Sequence, residues 1–134
     1  MEDLHEAICI LVTKSLSDNQ FVDSVLFPLP IRAREEIIKV LYIYKIDEYI
    51  CEINSHDIRH VNRGHEDEIE YICEIPKILS KFTKIEKSIT NHPKTRKLII
   101  SVVFYKKYDD KTVKLVKVNL TKEKRLRLKT IFVK

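Results

Sequence analysis

Apolar residues along this chain follow two different periods. Leu4, Ala7, Ile8, Leu11 and Val12 recur three and four apart, which predicts an amphipathic helix over residues 3–16. Ser17-Asp18-Asn19 interrupts it. Phe21, Val25, Leu26 and Phe27 then form an apolar patch that Pro28 and Pro30 close. Ile37, Ile38 and Leu41 place a second helix over 31–41, and Tyr42 to Ile46 reads equally as helix end or strand. Tyr49 to Ile53 is apolar and β-prone, a short strand feeding Ser55. A two-turn helix follows, with Ser55 as its N-cap, Asp57 in the first turn where the helix dipole favours an acid, and Gly64 as a left-handed C-cap. A further helix is expected from Glu66 to Phe82. Its stripe is Ile69, Ile72, Cys73, Ile78, Leu79 and Phe82, and Pro76 breaks or restarts it.

From Lys84 the period becomes two. Residues 84–89 alternate weakly, and Asn91 to Lys94 is a turn. Residues 97–107 form a long central strand, and Tyr108 to Lys111 a hairpin loop. Val113 to Leu120 and Leu126 to Val133 are the next strands, joined through Thr121 to Lys124. Helices first, then consecutive hairpin strands, predict an α+β domain with an antiparallel sheet.

At 134 residues and 44% apolar content the chain suits one globular domain. No apolar run is long enough to span a bilayer, so no membrane partner is expected. The chain begins Met-Glu-Asp, without the positive stretch of a signal peptide. Cys9, Cys51 and Cys73 are odd in number and far apart, which reads as buried thiols in a reducing cytoplasm. A domain of a larger secreted or injected protein has the same signature. Charge is divided sharply. Residues 1–75 carry 7 Lys/Arg against 16 Asp/Glu, a balance of −9, and residues 76–134 carry 18 against 4, a balance of +14. The bland account is mutual attraction of the halves within a solvated lysine surface. The sharper one is a basic face for a polyanion, RNA or DNA.

The stretch Ser55 to His65 holds three of the five histidines, two arginines and the one glycine. Nucleotide and dinucleotide sites need glycine-rich loops, which a chain with only Gly64 lacks, so no cofactor is expected. His56 and His60, at i and i+4, have zinc-ligand spacing, but no third ligand is evident and no metal is assigned. Metal-free cleavage of RNA fits the residues better, because the ribose 2′-hydroxyl is a built-in nucleophile. It needs a base, an acid and cations or donors on the phosphate. His60 and His65 can move the protons, Arg63, Arg127 and Lys129 can supply charge, and Thr130 can supply a hydroxyl. Taken singly, each of these residues is more often a cap or a solvated side chain.

The run Ile53-Asn54-Ser55-His56-Asp57-Ile58-Arg59-His60, with His65 and Ile75-Pro76-Lys77-Ile78-Leu79, resembles the phage- and toxin-associated nucleases of the barnase–EndoU–colicin–RelE superfamily. The ending Leu126-Arg127-Leu128-Lys129-Thr130-Ile131-Phe132 resembles their closing strand. The resemblance covers residues 48–134 as a nuclease core, with 1–47 as a helical N-terminal part of the same single domain. It implies a helical layer packed on a four- to five-stranded antiparallel sheet. It also implies metal-independent endoribonuclease activity that leaves a 2′,3′-cyclic phosphate on tRNA or mRNA in the cytoplasm. His60 is then the first catalytic position, His65 the second, and Lys129 or Thr130 the strand partner. Such proteins are often toxins or phage effectors, and some are held by an immunity or antitoxin protein.

On a regular strand Thr130 shares a face with Leu126, Leu128 and Phe132, while Arg127 and Lys129 point the other way. Lys129 and Thr130 can therefore not both face one cleft unless a bulge re-aims one of them. With the apolar face against the helices, Thr130 is expected at its rim, close to the His60–His65 corner, ahead of Lys129. Arg127, Lys129, Ser101, Tyr105 and Lys107 are expected on an open face suited to an RNA backbone. The alternatives are a non-catalytic nucleic-acid-binding or protein-interaction module, and a zinc hydrolase built on His56 and His60.

Overall fold

The computed structural model describes residues 2–41, 45–64, 66–110 and 112–133. Helix α1 (Glu2–Ser17) buries Ile8, Leu11 and Val12 of the predicted stripe, while Leu4 is half-buried and Ala7 is exposed. Strand β1 (Ser24–Pro28) follows where only an apolar patch was expected, and Pro28 ends it. Helix α2 (Ile31–Leu41) buries Ala33 and Ile37. Of the stretch read as helix end or strand, Tyr42 to Tyr44 lie outside the described residues, and a short 3-10 turn, Ile46–Glu48, leads into β2 (Ile50–Asn54). Helix α3 (Ser55–Gly64) starts directly from β2 and buries Ile58 and Val61.

The predicted helix over 66–82 is two elements. Glu66–Glu74 winds as a 3-10 stretch, and α4 (Ile75–Lys81) restarts with a proline in its first turn. The tighter winding eclipses Ile69 and Ile72, three apart, with Ile72 in the core and Ile69 packed against it. Pro76 costs nothing at the start of α4, where its missing N–H has no partner to lose.

Strands β3 (Lys84–Asn91), β4 (Leu98–Lys107), β5 (Val113–Leu120) and β6 (Arg125–Val133) form an antiparallel meander. The sheet has six strands in the order β1-β2-β6-β5-β4-β3. It is mixed, because β2 runs parallel to β6 through Ile50–Arg125, Cys51–Leu126 and Glu52–Arg127. The expected antiparallel sheet of four or five strands is thus corrected. The extra strand is β1, and the parallel joint arises because α3, the 3-10 stretch and α4 carry the chain from β2 to the far edge before β3 begins.

One sheet face packs on the helices. Cys51, Ile53, Val102, Phe104, Val116, Val118, Leu126, Leu128 and Ile131 share one core with Ile8, Ile37, Ile58, Ile78 and Leu79. Val103 and Leu115 are buried on the opposite face, outside that core. Register breaks once, between β5 and β6. Lys117 pairs with Thr130 but Val118 pairs with Leu128, so Lys129 is an extra residue in a β-bulge. Beyond the bulge the alternation inverts, and Ile131 joins Leu126 and Leu128 in the core.

The thiol expectation is also corrected. Cys9 and Cys73 form a disulfide with Cα atoms 5.2 Å apart, and only Cys51 among the cysteines is free and buried. Packing of α1 on the 3-10 stretch brings together residues 64 positions apart. No spacing rule in the sequence reveals that. No helix of the described residues is long and apolar enough to cross a membrane.

Candidate functional site

Helix α3 is held at its start by three polar anchors. The side chain of Asn54, not Ser55, caps it by accepting from the Asp57 N–H at 2.8 Å. The Ser55 hydroxyl is buried instead. It accepts from Ser15 Oγ at 2.8 Å and from the Asp23 N–H at 3.1 Å. Arg59 donates to the carbonyls of Ser15, Asp18 and Phe21 and ties the helix to the loop after α1. Gly64 is a helical residue without positive φ, so it is not the left-handed cap expected of it. With Ile58 and Val61 turned into the core, His56 and His60 lie together on the solvent side. At i, i+4 their Cβ atoms are about 5–6 Å apart.

Between α3 and the middle of β6 lies a cleft of about 210 Å³, lined by His56, Asp57, His60, Asn119, Thr121, Arg127, Leu128 and Lys129. Asp57, mostly buried, accepts two hydrogen bonds from Arg127, from Nη2 at 2.8 Å and from Nε at 3.1 Å. The Asp57 hydrogen bond raises the Arg127 pKa above its ordinary value. Partial burial opposes it, and the charges of Asp57 and Glu52 reinforce it. Glu52 also lies 3.5 Å from Arg125 and 3.9 Å from Arg127. Two arginines and two carboxylates therefore neutralise one another, and Arg127 orients more than it attracts. The cation left over is Lys129. It stands exposed on the bulge and has no ion pair among the described residues. A larger groove of about 500 Å³ beside α1 is mostly apolar, with His5, Glu70 and Glu74, and no cation lines it.

The cleft brings together three of the residues named from sequence: His60, Lys129 and Arg127. It adds His56, which the sequence offered only as a metal ligand, and Asn119 and Thr121, which carried no sequence signal because isolated polar residues at a strand end are ordinary. His65 lies outside the described residues. Thr130 does not line the cleft, and its hydroxyl is buried without a hydrogen-bond partner among the described residues. Arg63 is one turn further along α3, exposed and away from the cleft lining. Lys107 pairs with Val113, six positions along β5 from Asn119, so about 20 Å separates it from the cleft. Among the described residues no cluster of three or more His, Cys, Asp or Glu is arranged to hold a metal ion. Comparison with known proteins finds no match, whether to a family model, a curated protein or a solved structure.

Proposed function

We propose that the chain is an endoribonuclease that needs no metal, with His56 and His60 as its proton-transfer pair. The observation that carries this reading is the cleft, where two exposed imidazoles one helical turn apart share a lining with a lysine that has no ion pair among the described residues. A ribose phosphate seated against Lys129 presents O2′ to one ring and O5′ to the other. The neutral imidazole takes the 2′-hydroxyl proton, O2′ bonds to phosphorus, the P–O5′ bond breaks, and the protonated imidazole gives its proton to O5′. The products are a 2′,3′-cyclic phosphate and a 5′-hydroxyl. Lys129 offsets charge growing on the phosphorane oxygens. The Asp57-bound Arg127 presents its remaining N–H groups at a fixed angle. The likeness of residues 48–134 to the barnase–EndoU–colicin–RelE nucleases supports the same chemistry, with His56 in place of His65 as the partner of His60.

The second reading is a nucleic-acid-binding module without catalysis. One observation favours it: neither His56 nor His60 is oriented by a hydrogen bond among the described residues. Incubation with total RNA and a chelator separates the two. The nuclease yields fragments with cyclic-phosphate ends, and His56→Ala or His60→Ala lowers the rate by about 10²-fold or more, the usual yield of general acid–base catalysis. Binding of uncleavable RNA by those variants stays close to wild type. Intact RNA bound by wild-type protein selects the second reading, and loss of cleavage on chelation overturns the metal-free mechanism.

A further inference from the structure

The sheet face that opens onto the cleft continues well beyond it. Arg127 pairs with Asn119, Asn119 with Ser101, and Ser101 with Ser88, so these four residues form one row across β6, β5, β4 and β3. Residues directly opposite one another share a face, so the whole row lies on the side away from the helical core. Its first member lines the cleft and its last is on the edge strand. Between them the Ser101 hydroxyl donates to Asn119 Oδ1 at 2.6 Å. The row spans about 14 Å, three inter-strand spacings.

Past this row β3 and β4 extend as a hairpin. From Lys87 to Tyr108 there are six basic residues and no acidic one. The tip presents Lys94, Arg96 and Lys97, all exposed and without ion pairs among the described residues. The turn beneath them is fixed. His92 Nδ1 accepts from the N–H groups of Lys94 and Thr95, each at 3.2 Å, and the His92 N–H donates to the Lys97 carbonyl at 2.9 Å. Arg96 sits at φ 58°. Three exposed cations thus stand on an ordered turn, and between them and the cleft the row carries only the uncharged Asn119, the buried Ser101 and Ser88.

We infer that the β3–β4 hairpin tip is a second phosphate-binding locus, so that the substrate is a single RNA strand passing from Arg127 and Asn119 to Ser88, above the buried Ser101, with its far phosphates on Lys94, Arg96 and Lys97. This rests on the RNA reading of the cleft. The tip lies about 20 Å from the histidines, beyond a trinucleotide stacked at about 3.4 Å per residue and within reach of a 12-mer. The Asn119 amide and the Ser88 hydroxyl, both half-buried, suit sugar 2′-OH groups and base edges, while the fully buried Ser101 only braces Asn119, and the cations at either end suit phosphates. The other face of the hairpin, with Ile89, Leu98 and Ile100 exposed, is apolar and suits a protein instead.

The test is fluorescence anisotropy with the full chain, using 2′-O-methyl RNA of 3 and 12 nucleotides over a range of salt. The variant is Lys94→Gln, Arg96→Asn, Lys97→Gln, since asparagine tolerates the left-handed backbone at position 96. The expected result is a loss of about 10-fold or more in 12-mer affinity at low salt. The slope of log K against log salt should become shallower by about 2, and trinucleotide binding should not change. Unchanged 12-mer binding overturns the inference and leaves the hairpin to a protein partner. Equal loss on both lengths also overturns it. Cleavage of a dinucleoside phosphate, which never reaches the hairpin, reads the cleft alone. Failure of that cleavage with the length-dependent loss intact removes the nuclease reading and keeps the second locus.

Discussion

Two side chains, Cys51 buried and Lys114 half-buried, show how single residues set the working range of this protein. Burial pushes the Cys51 thiol from its ordinary 9.0 up to about 12. Lys114 donates to both carboxylate oxygens of Glu74, at 2.8 and 3.1 Å, and lies 4.0 Å from the centre of the Tyr71 ring. Burial alone would lower its pKa, but the hydrogen bond and charge of Glu74 outweigh that and raise it. Both groups hold a proton more tightly folded than unfolded. Their contribution to stability is therefore complete below the unfolded values and is lost as pH rises through the folded ones. The urea midpoint should be flat from neutrality to pH 9 and then fall. Cys51→Ala should flatten the first part of that fall, up to about pH 12. A decline that is identical in the variant would assign the whole effect to other groups.

At the scale of elements the bulge in β6 separates what the sheet requires from what the cleft requires. Leu126 and Leu128 face the core before it and Ile131 after it, with Lys129 counted out of the pairing. Removing Lys129 leaves an unbroken alternation, with Thr130 outward and Ile131 inward. A Lys129 deletion should thus fold with a melting temperature within a few degrees of wild type and weaken binding of the trinucleotide. Deleting Leu128 instead drives Lys129 toward the core at a cost of several kcal/mol, and that protein should melt far lower. Equal destabilisation by both deletions would show that the bulge is needed for the strand itself. Much at this scale was legible in the sequence. The 3.6 period located α1 and α2, the alternation located β4, β5 and β6, and the conflict over Lys129 and Thr130 showed that a bulge was one of two ways out. Strand β1 was not legible, because five residues ending in proline leave too little alternation to count. Nor was the 3-10 winding of Glu66–Glu74, whose apolar spacing matches an α-helix equally well.

Over the whole molecule, the features that escaped the sequence are those made by distant residues. The parallel joint of β2 with β6 and the Cys9–Cys73 bridge both depend on how the helices cross the sheet. His56 and Lys129, 73 positions apart, share a cleft for the same reason. A bridge across 64 residues restricts the unfolded chain enough to add about 4 kcal/mol on chain-entropy grounds. Oxidised wild-type protein should therefore exceed Cys9→Ser/Cys73→Ser in unfolding free energy by up to about that amount, and a reductant should abolish the difference. An oxidised protein no more stable than the double variant would mean that the packing of α1, not the bond, holds that corner.

The joint between β2 and β6 has one more consequence. It spans three residue pairs, and it is where the acidic N-terminal half enters the sheet of the basic half. The imidazoles come from one side of this seam and the lysine from the other, so neither half owns a complete cleft. Anything that slips the seam by a single residue dismantles the constellation while leaving most of both halves intact. The state of the cleft is in that sense a gauge of whether the two ends of the chain have found each other.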